Sequence, residues 1–252
     1  MRRETLTVDK KPFDAILFDL DGTLVHLPQE RFAREATLGL TAYAAPRLGV
    51  CEKDFLRELN AGIGAMIRND GKNDNRFVFL SYFRAAMKKL DPLFHLDDGA
   101  LEAPFNDYYA SDFRSLALIG TFNANASAAV AQARRLASRV ILATLPIFPL
   151  CAQEERLSWV GLCKERFDLV TDYAFSHYSK PNPAYYLEIA RRFALDPARC
   201  LMVGNDVSDD MIPAVKAGMQ TYLVTDCLLH GELPYDGRRS DFAQFKEYLE
   251  SL

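Results

Sequence analysis

The sequence is short of the signals that most quickly narrow a protein's role. It has a single Trp and four His, and His26, His95, His177 and His230 stand at no metal-ligand spacing. Its five cysteines, at positions 51, 151, 163, 200 and 227, form no CxxC pair, so neither a zinc site nor a disulfide framework is expected, and a reduced, cytoplasmic protein is the simplest reading. With a net charge of -4 and 25% charged residues, the chain has no basic excess to hold nucleic acid or an anionic membrane. Long apolar runs are missing too: the most apolar stretch, Val140 to Ala152, is broken by Pro146 and Pro149 and is too short to span a bilayer. Met1-Arg2-Arg3-Glu4-Thr5-Leu6 is basic but has no apolar segment behind it, unlike a secretory leader. No repeat, low-complexity tract or glycine-serine linker interrupts the 252 residues, a length that suits one large domain or two modest ones.

What remains is a rhythm of short apolar runs and helical stripes. Ala15 to Phe18, Val140 to Ala143, Leu201 to Val203 and Thr221 to Val224 are continuous apolar runs, with a weaker one at Phe167 to Val170. Runs without alternation fit strands buried on both faces of a parallel sheet. Between them, Tyr186, Ile189, Ala190 and Phe193 fall on one helical face behind Asn182 as cap and Pro183 as first helical residue. Phe242, Phe245, Leu249 and Leu252 form another stripe behind Ser240. The alternation predicts a doubly wound α/β core, in which ligands bind beyond the carboxyl ends of the strands.

The stretch between the first and second runs is far longer than one crossover needs. Its patterning is helical: Arg31 to Tyr43 stopped by Pro46, then Phe55, Leu59, Ile63 and Met66, then Phe79 or Leu80, Phe83, Met87 and Leu90. This predicts a helical domain over residues 28–111 inserted into a core of residues 1–27 and 112–252. Phe77, Phe79, Tyr82 and Phe83 read as the core of that insertion, and Asp107 and Arg114 as charges at its return.

The most specific signal is Phe18-Asp19-Leu20-Asp21-Gly22-Thr23, directly after the first run. Side chains two apart on an extended chain point the same way, so two carboxylates face one space. Asp-x-Asp-Gly-Thr arises by chance in about one chain of this length in several hundred. Three further segments follow in order: Thr144 ending the second run, Ser179-Lys180-Pro181-Asn182-Pro183 before a helix, and Gly204-Asn205-Asp206-Val207-Ser208-Asp209-Asp210 after a later strand.

Taken together, these segments resemble the four motifs of the haloacid dehalogenase superfamily, a group of mostly phosphatases and phosphomutases. The resemblance implies a Rossmann-like α/β core with a smaller helical cap inserted after the first motif. It implies Asp19 as nucleophile forming an aspartyl phosphate, and Asp21 as the acid/base that serves the leaving oxygen and then water. Superfamily members that dehalogenate carbon lack that second aspartate, so phosphoryl transfer is implied. Thr144 would donate to the phosphoryl group and Lys180 would neutralise it. Mg²⁺ is implied as cofactor, held by the Asp19 carboxylate, the Asp21 backbone carbonyl and the acidic loop, with Asp206 favoured as the acidic ligand and Asn205 close by. Asp210 is expected to hold the loop or Lys180, Gly22 to serve the turn, and Asp209 to face solvent. Two positions depart from the pattern: Leu145 stands where an asparagine is frequent, and Asn205 where an aspartate is common. The expected activity is hydrolysis of a small phosphorylated metabolite, with a phosphomutase or a low-activity phosphate- or metal-binding protein as alternatives.

Overall fold

The computed structural model describes residues 11–252, so the basic N-terminal hexapeptide lies outside the described residues. The runs form strands β1 (Phe13–Phe18), β2 (Ala137–Leu142), β3 (Leu169–Val170), β4 (Cys200–Gly204) and β5 (Gln220–Val224). A sixth, β6 (Arg238–Ser240), was not expected, because its residues are polar and it pairs only with β5 at the sheet edge. Among the described residues these make one sheet in the order β3-β2-β1-β4-β5-β6, with every pair parallel.

β1 lies between β2 and β4, and Ala15, Ile16, Leu17 and Phe18 are all fully buried. Its side chains alternate between two cores. Ala15 and Leu17 pack with α7 (Pro183–Arg192) and α8 (Ile212–Lys216). Ile16 and Phe18 pack with α5 (Ala126–Leu136), α6 (Leu150–Ser158) and α9 (Phe242–Glu250). Burial of Ile16, Leu17 and Phe18 contributes about 1.5–3 kcal/mol each, so the strand that carries the first motif is anchored from both sides. Asn182 caps α7 through Ala184 N at 2.9 Å with Pro183 following, as the sequence predicts. The cap of α9 is Asp241 rather than Ser240, through Gln244 N at 2.8 Å, and Leu252 at the end of that stripe is half exposed.

Between β1 and β2 stand α1 (Gln29–Arg47), α2 (Glu52–Ile67), α3 (Asn75–Leu90) and α4 (Asp98–Ala110), then a 3-10 segment, Asp112–Ile119. Helix α1 runs through Pro46 instead of stopping before it. In the last turn a proline removes a single N–H donor, and Leu48 N closes the end on Ala44 O at 3.0 Å. Phe55, Phe79, Phe83 and Phe105 pack ring to ring, with Phe55–Phe83 centroids 5.3 Å apart. Phe77 and Leu90 point outward instead, at 52% and 45% exposure. The N-terminus of α3 is tied to the loop after β3 by Asn75 N to Ser176 O at 2.9 Å and Arg76 N to Tyr173 O at 2.8 Å. Among the described residues no helix is long and apolar enough to cross a membrane.

Candidate active site

All four motif segments meet beyond the carboxyl ends of the strands. Pairing of β1 with β4 extends one residue past the strand, through Asp19 N to Val203 O at 2.9 Å. The chain then turns at Gly22, whose φ of +90° lies in the left-handed region. A Cβ there would also lie 2.7 Å from Gln29 Nε2 and press into the Asn205 amide, so both conformation and space require glycine. Thr23 Oγ1 donates to Asn205 Oδ1 at 3.0 Å, which joins this turn to the acidic loop.

Lys180 is 2% exposed, and its Nζ donates to Asp19 Oδ1 at 2.7 Å and Asp210 Oδ1 at 2.6 Å. Burial alone would push the ammonium down, but the Asp19 and Asp210 carboxylates outweigh it and hold its pKa well above the usual lysine value. Asp210 Oδ2 accepts from Asn205 N and Asp206 N, both at 3.1 Å, so this side chain orients Lys180 and also shapes the loop. Thr144 is buried and clamped through its backbone: its N–H donates to Thr171 Oγ1 at 3.1 Å, and its carbonyl accepts from Tyr185 OH at 2.8 Å.

Asp21 is held differently. Its Oδ2 accepts from the guanidinium of Arg156, a fully buried side chain on α6. Its Oδ1 is buried and has no hydrogen-bond partner. Burial pushes the carboxyl up to about 6, with Arg156 opposing and Asp19 adding to the shift. Arg156 also lies 4.4 Å from the Phe148 ring centroid and bonds Gln153 Oε1. Nothing in the sequence marked Arg156; it is one charge among several in Gln153-Glu154-Glu155-Arg156, and only the fold turns it inward.

The acidic loop departs from expectation at Asp209, which is half-buried and lines the cavity; burial and the neighbouring Asp206 raise its pKa. Contacts to Asp206 fall on Oδ1, from Ser208 N at 2.7 Å, Asp209 N at 3.1 Å and His230 Nδ1 at 2.8 Å. Asn205 is fully buried, with Oδ1 engaged by Thr23 and Nδ2 donating to Cys227 O at 2.6 Å. His26 packs on Phe242 away from this cavity, and Asp107 and Arg114 are exposed, with Arg114 closing the end of α4 on Ala110 O.

Asp19, Asp206 and Asp209 offer hard oxygen donors to one space, faced by Lys180 as the nearby cation. Among the described residues no three acidic, imidazole or thiol side chains already surround one point. Such a donor set fits Mg²⁺, which is usually bound by one or two carboxylates and completed by phosphate oxygens and water. The Asp21 backbone carbonyl, a further candidate ligand, accepts from Gln29 Nε2.

The space itself is a cavity of about 430 Å³ walled by both the core and the inserted helices: Asp19, Thr144, Leu145 and Lys180 at one end, Leu59, Ile63 and Phe79 beyond them.

A family model for haloacid dehalogenase-like hydrolases matches residues 13–218. A glyceraldehyde 3-phosphate phosphatase of Methanothermobacter thermautotrophicus is 32% identical over 104 residues, and the match covers 38% of this chain and 46% of that protein. The chain thus aligns with about half the length of this relative. Among solved structures, the fold matches a 2-haloacid dehalogenase of Pseudomonas syringae with a TM-score of 0.58 at 19% identity, over 95% of this chain and 99% of that one. It also matches YfnB of Bacillus subtilis, solved bound to magnesium, with a TM-score of 0.53 at 17% identity, over 95% and 99% of the two chains.

Proposed function

Because the chain belongs to the haloacid dehalogenase-like hydrolases, we propose that it hydrolyses a phosphomonoester through a phosphorylated Asp19. The observation that carries this reading is the second carboxylate. Asp21 has a raised pKa and a buried oxygen without a partner, which suits a group that must hold a proton and give it to a departing alkoxide. A dehalogenase has no use for that acid. The phosphatase name of the partial relative points the same way.

In the first step an Asp19 oxygen bonds to phosphorus, the P–O bond to the alcohol breaks, and the proton on Asp21 passes to the leaving oxygen. In the second, Asp21 takes a proton from water as that water attacks phosphorus, releasing phosphate and restoring Asp19. Lys180 holds Asp19 in place and offsets charge on the phosphoryl oxygens. Thr144, fixed by its clamped backbone, supplies a hydroxyl donor. Mg²⁺, held by Asp19, Asp206 and the Asp21 carbonyl, with Asn205 or Asp209 adjoining, would supply charge neutralisation between carboxylates and phosphate. The inserted helices act as a cap that excludes bulk water.

The test is phosphate release from a panel of esters with and without Mg²⁺, for wild type and Asp19→Asn. Metal-dependent turnover by wild type, reduced on the order of 10³-fold or more in the variant, is expected. A folded wild type inert toward every ester would overturn the reading.

A further inference from the structure

The cavity is much larger and more apolar than a triose phosphate needs. Its volume of about 430 Å³ falls in the range that encloses a drug-sized ligand. Beyond Asp19 and Lys180 the walls are built by Leu40, Leu59, Ile63, Met66, Phe79 and Phe105 from the inserted helices, and by Ile147 and Phe148 from the core. Two aromatic pairs line it, Phe32 and Phe148 with centroids 6.4 Å apart, and Phe79 and Phe105 at 5.8 Å.

The polar wall groups include the Tyr109 hydroxyl and Arg34, which is exposed and paired with Glu35 Oε1 at 3.2 Å; several others are already committed. Gln29 Nε2 donates to the Asp21 carbonyl. The Glu102 carboxylate accepts from both Arg76 and Tyr173. Thr37 Oγ1 donates to the Ala33 carbonyl at 2.9 Å. Asn60 is exposed at the mouth. A sugar placed deep among the apolar walls would find few partners for its hydroxyls beyond Tyr109, and each one left unpaired costs on the order of tenfold in affinity. A ring system would replace water against apolar walls.

Resting on the phosphatase reading, we propose that the substrate is the phosphate ester of a bulky apolar alcohol carrying one or two rings, with the rings between α1, α2 and the Phe148 loop and the phosphate at Asp19 and Lys180. This sets the chain apart from a triose phosphatase, the activity named for its partial relative.

The experiment compares kcat/KM for benzyl phosphate and 2-naphthylmethyl phosphate with that for glycerol phosphate and glyceraldehyde 3-phosphate. All are esters of primary alcohols, so differences in leaving-group reactivity are kept small. The naphthylmethyl ester is expected to lead by on the order of 100-fold. Ile63→Gln, at a half-buried wall position, is expected to cut that ratio by on the order of tenfold, chiefly through KM. If the triose or glycerol ester is preferred, the apolar substrate class is overturned while the phosphatase reading stands. If no ester is hydrolysed, the phosphatase reading fails, and calorimetry with Asp19→Asn then decides the cavity. Binding of 2-naphthylmethyl phosphate at least tenfold tighter than glycerol phosphate upholds the cavity's preference for an apolar phosphate ester as ligand, though not as substrate, and equal or absent binding rejects that preference too.

Discussion

Asp21 is held between opposing influences, and both leave measurable traces. Burial raises its pKa from 3.8 to about 6 while Arg156 pulls it down. Between those values the folded protein keeps a proton that the unfolded chain has lost, so the contribution to stability is full below about pH 4 and is lost as pH rises through about 6. About two pKa units correspond to about 3 kcal/mol. Wild-type stability relative to Asp21→Asn is therefore expected to fall by about 2–3 kcal/mol from pH 4 to pH 7, read from urea midpoints across that range. A flat difference would show that Asp21 does not titrate in this window. Arg156 supplies the converse experiment. Removing it leaves the Asp21 carboxylate buried without its cation, so Arg156→Met should destabilise by about 3–5 kcal/mol at pH 7. The pair Asp21→Leu with Arg156→Met should recover much of that loss, because an apolar pair carries no uncompensated charge. A double-mutant cycle giving additive losses would mean that the two groups do not act as a pair.

One polar tie between the inserted helices and the core stands at the start of α3. Asn75 is fully buried. Its Nδ2 donates to Pro146 O and Ser179 Oγ, both at 3.0 Å, and its Oδ1 accepts from Asn69 Nδ2 at 2.9 Å. One side chain thus joins the insertion to the segment after Thr144 and to the residue before Lys180. Asn75→Ala would leave several buried polar groups unpaired and is expected to cost about 2–4 kcal/mol in equilibrium unfolding; a loss below about 0.5 kcal/mol would mean that water or neighbours replace it. None of this was legible in the sequence, where Asn75 is one polar residue in Asn73-Asp74-Asn75. What was legible had a local cause. The first, second, fourth and fifth strands announced themselves as continuous apolar runs, and α7 by a cap and proline at fixed offsets. β6 gave no signal because Arg238-Arg239-Ser240 carries no apolar side chain and its pairing is a tertiary event. The inward turn of Arg156 and the approach of His230 to Asp206, 24 residues away in the chain, depend on closure of the fold in the same way. Of the candidate site residues, Asp19, Asp21 and Thr144 follow directly on the ends of β1 and β2, where local pattern and position coincide, whereas Lys180 and Asp210 lie farther along the loops and were singled out by motif order alone.

Across the whole molecule the net charge of -4 understates how unevenly charge is placed. Asp19, Asp21, Asp206, Asp209 and Asp210 border one cavity, and the buried cations among them, Lys180 and Arg156, are already paired to Asp19, Asp210 and Asp21. Asp206 has only the exposed His230 at 2.8 Å beside it, and its charge adds to the effect of burial in raising the Asp209 pKa. A divalent cation entering this space relieves the repulsion only in the folded state, since the unfolded chain does not bring these carboxylates together. It must therefore stabilise the fold by mass action. At Mg²⁺ a hundredfold above its dissociation constant the gain is about 2.7 kcal/mol. In a chain of this size that raises Tm by about 5–10 °C. Differential scanning calorimetry of the metal-stripped protein, titrated with MgCl₂, measures it without any substrate. Asp206→Asn, which keeps the caps on Ser208 and Asp209 through its amide oxygen while removing the charge, is expected to fold and to lose most of the shift. If wild type and Asp206→Asn respond equally to Mg²⁺, the ion binds elsewhere, and the carboxylates at this end of the cavity must be neutralised by protons instead.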